Sequence, residues 1–124
     1  RDRVTFIDRT NDIHELVTLY SSSGVFINPT LEDTFPTTNI EALACGLPVV
    51  TFPSGGSPET VGHPCGVVCE PTAVKALEAA RIFCDADRDA IAEICRKFVE
   101  ERFNKWDCFN MYIDIYHELL NVRT

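Results

Sequence analysis

After Pro71 the chain has neither glycine nor proline; all six glycines and all seven prolines fall between Gly24 and Pro71. Without these backbone punctuators, residues 72–124 are expected to be almost wholly helical. Long apolar runs are also missing. None approaches the roughly 18 residues a membrane span needs, and the opening stretch RDRVTFID has no signal-peptide core. Positive charge is scarce: eleven Lys and Arg against nineteen Asp and Glu give a formal charge of −8. Such a chain repels phosphate backbones and anionic lipid, which argues against a nucleic-acid partner. No CxxC pair occurs, and His14, His63 and His117 are scattered, so neither a metal set nor a catalytic dyad can be assembled. There is no GxSxG elbow, no P-loop lysine, no GxGxxG and no internal repeat.

What remains is one ordinary globular domain. Its 124 residues, 45% hydrophobic and 24% charged, suffice for a core without staples and exclude disorder, collagen and coiled coil. Of the six cysteines, Cys45, Cys84 and Cys95 lie within apolar helical patterns, where a thiol acts as a small buried hydrophobe. All six, including Cys65, Cys69 and Cys108, are read as reduced, which implies a cytoplasmic protein.

Four short β-rich runs recur: VTFI (4–7), VFIN (25–28), VVTF (49–52) and GVVC (66–69). They are too continuously apolar to be half-exposed, and read as central parallel strands. Between the first two, Ile13, Leu16, Val17 and Tyr20 follow helical spacing behind an Asn11 or Asp12 cap. Between the next two, Ile40, Leu43 and Ala44 do the same and stop at Gly46, with Pro48 beyond. Further helices are expected over about 72–84, 87–102 and 105–121. The pattern implies an α/β, Rossmann-like open parallel sheet of about four strands, with flanking helices and a helical C-terminal tail. The chain enters its first expected strand at once, and three βα units are few for a doubly wound domain. We therefore expect the C-terminal part of a longer polypeptide.

The loop after the second run, NPTLEDTFPTTNIEALACG, is the best site candidate, because the start of a helix offers unpaired N–H groups and a positive dipole end to an anion. Thr37, Thr38 and Asn39 add side-chain donors, while Asp33 and Glu41 can accept hydrogen bonds from sugar hydroxyls. Structural readings stand beside these. Thr38-x-x-Glu41 matches a capping box, and Asp33 can be a turn former. The loop PSGGSPETVG supplies a flexible Gly55-Gly56 pair and is a weak signal alone.

The run from Val4 to Glu59 resembles the C-terminal, donor-binding domain of GT-B fold retaining glycosyltransferases of family 4, especially bacterial exopolysaccharide-type members. The signature is an E-x7-E pair ending in a helix of the form E-A-x-A-C-G-x-P-V-V, and residues 41–50, EALACGLPVV, reproduce its second half. The resemblance implies one truncated domain over 1–124, with the donor-site part in 1–71 and closing helices in 72–124. It implies transfer from a UDP- or GDP-sugar, without metal or other cofactor, to a glycan or lipid-linked acceptor held by an N-terminal domain. It further implies a cytoplasmic enzyme of exopolysaccharide biosynthesis, attached peripherally to the inner membrane face through its other half.

By the same resemblance, Glu41 takes the ribose hydroxyls, and Phe35, Pro36, Thr37, Thr38 and Asn39 form the segment whose amides meet the diphosphate. Asp33 stands where the family has its first glutamate, a contact to the hexose, and Asp33 and Glu41 are the catalytic pair. Arg9 and Thr10 lie at the nucleobase loop, and Gly55 and Gly56 match a glycine turn lining the cleft. A basic Arg/Lys pair for the diphosphate is expected upstream of Arg1, so the fragment alone should be inactive. The family's last helix reaches back onto the N-terminal domain. Here Trp106, Met111 and Ile115 lie off the stripe of Phe109, Tyr112, Tyr116 and Leu120, so one face should stay exposed or pair with a second copy. The competing readings are a sugar-nucleotide epimerase and a non-catalytic Rossmann-like module such as a phospho-receiver domain, for which only Asp8 stands near the first strand end.

Overall fold

The computed structural model describes residues 3–123. Three short parallel strands, β1 (Phe26–Asn28), β2 (Val49–Thr51) and β3 (Gly66–Val68), lie in the order β1-β2-β3. Their registers pair Ile27 with Val50 and Val50 with Val67. Helix α1 (Ile13–Ser22) precedes β1, and α2 (Thr37–Ala44) crosses from β1 to β2. A short 3-10 helix, Ser57–Thr60, lies between β2 and β3. Helices α3 (Ala73–Cys84), α4 (Arg88–Phe103) and α5 (Lys105–Arg123) complete the chain.

Caps set most of these boundaries. Asp12 accepts from the His14 N–H at 2.9 Å to start α1, Thr72 accepts from Lys75 at 3.2 Å to start α3, and Asp87 accepts from Asp89 and Ala90 to start α4. The Asn104 amide oxygen does the same for α5, taking the N–H groups of Trp106 and Asp107.

Two apolar clusters sandwich the sheet. On one face Leu43, Leu47, Val49, Val61, Cys65 and Cys95 pack with Tyr20, Phe26 and Phe98, which joins α1, α2 and α4. On the other, Val50 and Phe52 meet Ala76, Ala79, Ala80 and Phe83 of α3. β2 is buried from both sides, as its unbroken apolar run requires. Gly46 lets α4 approach: its φ is 82°, and a Cβ there would stand 2.8 Å from the Ala92 Cβ.

Three expectations need correction. Residues 4–7 form no strand, and Phe6 is 93% exposed. An apolar run identifies a segment suited to a sheet interior, but a strand exists only when paired, and among the described residues nothing pairs with the other edge of β1. The sheet therefore has three strands and not four. Cys84 is exposed and Cys45 half-buried, whereas Cys95 is fully buried, because α3 turns Ala80 and Phe83 inward and its cysteine outward. All six cysteines are free thiols. In the buried pair Cys95 Sγ donates to the Cys65 carbonyl at 4.0 Å, and the interaction of the two thiols lowers the Cys65 pKa and raises that of Cys95 above the usual thiol range.

Helix α5 does not divide into a covered and an uncovered face. Trp106, Met111 and Ile115 are 68%, 64% and 48% exposed, and Phe109, Tyr112, Tyr116 and Leu120 are exposed as well. Such an apolar surface marks an interaction site more often than a solvent face. We predict that iodide quenches the fluorescence of the single tryptophan, Trp106, in this chain as freely as that of a small indole. Strong protection from the quencher would show that α5 is covered by self-association.

Candidate functional site

The carboxyl ends of β1 and β2 are fastened by side chains rather than by further strands. Asn39, in the first turn of α2, is 0% exposed. Its amide nitrogen donates to Thr60 Oγ1 at 3.0 Å and to Thr51 Oγ1 at 3.3 Å, while its oxygen accepts from Asn28 Nδ2 at 2.9 Å. The chain of bonds continues in one direction. Thr30 Oγ1 donates to Asn28 Oδ1 at 2.5 Å, and Thr60 Oγ1 donates to the Ser57 carbonyl at 2.7 Å. One residue thus ties together β1, β2, α2 and the 3-10 helix. No buried side-chain polar atom among the described residues lacks a partner.

Two loops stand above this frame. Asp33 Oδ1 accepts the Phe35 N–H at 3.1 Å, and Gly56 donates its N–H to the Thr34 carbonyl at 2.7 Å. The glycine turn therefore lies directly on the Asp33 loop. Gly55 has φ 50°, and a Cβ there would overlap the Asp33 carbonyl, so the position requires glycine twice over. Leu31, Glu32, Asp33, Thr34, Pro53, Ser54 and Gly55 line an open groove of about 750 Å³. Phe35 is held edge-on by Phe103 of α4, with ring centroids 6.2 Å apart.

The start of α2 is bare. Its N-cap is Pro36, which makes no side-chain cap bond, and Asn39 donates its own N–H to the Pro36 carbonyl at 3.1 Å. The N–H groups of Thr37 and Thr38 have no partner among the described residues. Thr38 lies inside the helix, so the Thr38–Glu41 capping box does not form. The Glu41 carboxylate is exposed, and among the described residues the one side chain that reaches it is Tyr20, whose hydroxyl donates to Glu41 Oε2 at 3.5 Å. Asp33 is a turn former, as one reading had it, and its bond to Phe35 engages one carboxylate oxygen.

The site residues inferred from sequence are thus brought together unequally. Asp33, Phe35, Gly55 and Gly56 share one wall, with Thr37 and Thr38 at the helix start beside it. Asn39 is withdrawn: its side chain and its N–H are both spent inside the protein, so it supplies no donor to a ligand. Pro36 is buried and has no N–H to offer. Arg9 is exposed, and Thr10 is engaged locally, donating to Glu15 Oε2 at 3.0 Å in the lead to α1. Neither makes a hydrogen bond or ion pair with the Asp33 or Gly55 loops. Sequence reasoning missed Asn28, Thr51, Thr60 and Tyr20. A threonine inside the apolar run VVTF and an asparagine closing VFIN were the available signals for the network. Among the described residues no group of three or more His, Cys, Asp and Glu could hold a metal ion. No helix there is long and apolar enough to cross a membrane.

An open parallel sheet with helices on both faces, whose Asp33 and Gly55 loops follow the carboxyl ends of β1 and β2, defines a Rossmann-like α/β domain. Residues 1–102 match the family model for glycosyl transferases group 1. The chain belongs to that family. It is 28% identical, over 96% of its length, to the N-acetyl-alpha-D-glucosaminyl L-malate synthase of Bacillus anthracis. It is 30% identical, over 82% of its length, to the O-antigen chain mannosyltransferase B of Escherichia coli. It spans 32% and 27% of those relatives. The solved sucrose-phosphate synthase from Thermosynechococcus elongatus superposes with a TM-score of 0.75 at 28% identity, over 99% of this chain and 31% of that one. The fold is accordingly of the GT-B type, and neither the epimerase nor the phospho-receiver reading gains support.

If Asn39 fastens the frame, removing its amide strands several buried polar groups, at about 1–3 kcal/mol each. Asn39→Ala is therefore expected to cost roughly 2–4 kcal/mol in urea unfolding. Thr38→Ala, which removes no bond, should stay within about 0.5 kcal/mol of the parent. A loss for Thr38→Ala equal to that for Asn39→Ala would mean that capping governs α2.

Proposed function

We propose that this chain is the nucleotide-sugar donor-binding part of a retaining glycosyltransferase of family 4, of the bacterial exopolysaccharide type. The whole enzyme transfers a sugar from a UDP- or GDP-sugar to a glycan or lipid-linked acceptor bound by its other domain, without a metal. It works in the cytoplasm, peripherally at the inner membrane face. The observation that carries this reading is the pair of free N–H groups at Thr37 and Thr38, on a helix start flanked by Asp33 and by an uncapped Glu41. A diphosphate bound there meets two directed donors and the positive end of the helix dipole.

The roles proposed here are those the resemblance assigns to these positions. Glu41 accepts the ribose hydroxyls. Asp33 keeps Oδ1 on Phe35 and offers Oδ2 to the hexose, the shorter side chain being steadied by its own turn. Gly55 and Gly56 wall the cleft, and Arg9 and Thr10 border the nucleobase. The phosphates draw the rest of their compensating charge from a basic pair outside this chain, and α5 lays its apolar surface on the acceptor domain. By itself the chain binds donor weakly and does not turn it over.

Glu41→Gln keeps the shape of the side chain but removes the charge behind two hydrogen bonds, each worth about 1.5–3 kcal/mol when charge-assisted. In the polypeptide that carries both domains, donor affinity should fall at least roughly tenfold, about 1.4 kcal/mol, with little change in melting temperature. Asp33→Asn should lower the rate and the discrimination between donor sugars more than affinity for the bare nucleotide. Calorimetric titrations paired with melting curves decide the matter. A Glu41→Gln variant that melts several degrees lower yet binds UDP or GDP like the parent would overturn the ribose assignment.

A further inference from the structure

The Tyr20–Glu41 contact crosses from α1 to α2, and its chemistry is directional. Tyr20 is half-buried, with its ring set edge-on against Phe26 at 5.6 Å and 82°, so its hydroxyl is carried on a braced group. Glu41 is exposed, and no other side chain among the described residues reaches its carboxylate. Burial and the adjacent Glu41 charge both raise the Tyr20 phenol above its usual range, so it remains a protonated donor at any working pH.

We propose that Tyr20 is a positioning residue for Glu41, holding Oε2 so that Oε1 is presented to the ribose of the donor nucleotide. The proposal rests on the ribose assignment made above. A flexible carboxylate on a helix surface loses rotamer freedom when it captures a ligand, and a hydrogen bond from a braced tyrosine bears part of that cost in advance. The 3.5 Å separation is at the long end for such a bond, so the contact steadies the carboxylate without locking it. It also accounts for a tyrosine at the last inward position of α1, where a phenylalanine would fill the same apolar space.

The test is a double-mutant cycle of Tyr20→Phe and Glu41→Gln in the full polypeptide, with UDP, GDP and inorganic pyrophosphate as probes. Tyr20→Phe should weaken binding of the cognate nucleoside diphosphate by about three- to tenfold. It should raise KM for the nucleotide sugar similarly, with kcat within about twofold. Pyrophosphate, which has no ribose, should bind as before. In the Glu41→Gln background the Tyr20→Phe change should have no further effect. If the two effects simply multiply, or if pyrophosphate binding falls as much as nucleotide binding, Tyr20 acts on the fold and the proposal fails. If Glu41→Gln alone leaves nucleotide binding intact, the ribose assignment fails first. Loss of nucleotide affinity in Glu41→Gln but none in Tyr20→Phe would remove the positioning role alone.

Discussion

A single buried amide governs the geometry at the carboxyl end of this sheet. Three-residue strands contribute few ladder bonds, so pairing alone leaves their ends poorly fixed. Asn39 fastens those ends. Both amide hydrogens and the amide oxygen are spent on Thr51, Thr60 and Asn28, one partner from each neighbouring segment. Because every member of the network is satisfied, burying it carries no orphan penalty, and the direction of each bond fixes the next. The first turn of α2 is consequently rigid where it leaves Thr37 and Thr38 open.

The glycine turn depends on the same frame. Thr60 joins the 3-10 helix to Asn39, and Ser54 Oγ donates to the Thr30 carbonyl at 3.0 Å, so the segment carrying Gly55 and Gly56 is anchored at both ends. Between those anchors the turn presses on the Asp33 and Thr34 carbonyls so closely that no side chain fits. Asp33 is thereby held from two directions, by its own bond to Phe35 and by the glycines above it. The loops around the groove are preorganised by backbone contact more than by apolar packing, which suits a surface that must stay open and polar.

Much of the fold could be read from the chain, because its signals were local. The start of α1 behind an Asn11 or Asp12 cap, the stop before Gly46 and the glycine- and proline-free helical tail all follow from adjacent residues, while the Thr72 and Asp87 caps were found in the structure. The failures were relational. VTFI has the composition of a buried strand, but composition names no partner, and the segment stands unpaired. Thr38-x-x-Glu41 has the spacing of a capping box, but the helix begins two residues earlier than that box needs, behind Pro36. Asn39 read as a ligand donor because a polar residue at a helix start usually faces outward. Only the threonines brought beside it by β2 and by the β2–β3 connection turn it into a structural group.

The electrostatics then set what these loops can do in the proposed role. A helix start contributes the equivalent of about half a positive charge, against at least two negative charges on a diphosphate. Asp33 and Glu41 on either side oppose the phosphates, so the gain depends on keeping them on hydroxyls and away from phosphate oxygens. Asp33 turned onto Phe35 and Glu41 turned toward Tyr20 accomplish that separation. Five basic residues of the later helices are engaged within the protein. Lys75 and Lys97 pair with Glu78 and Glu101, Arg88 donates to the Ser23 carbonyl, and Arg102 and Lys105 lie over the rings of Phe98 and Trp106. In the proposed role the domain selects the hydroxyl pattern and the orientation of a donor, and a basic pair outside this chain supplies the rest of the charge that holds the diphosphate. On that proposal specificity and affinity are carried by different parts of the enzyme, and the donor domain alone is expected to fold well without catalysing transfer.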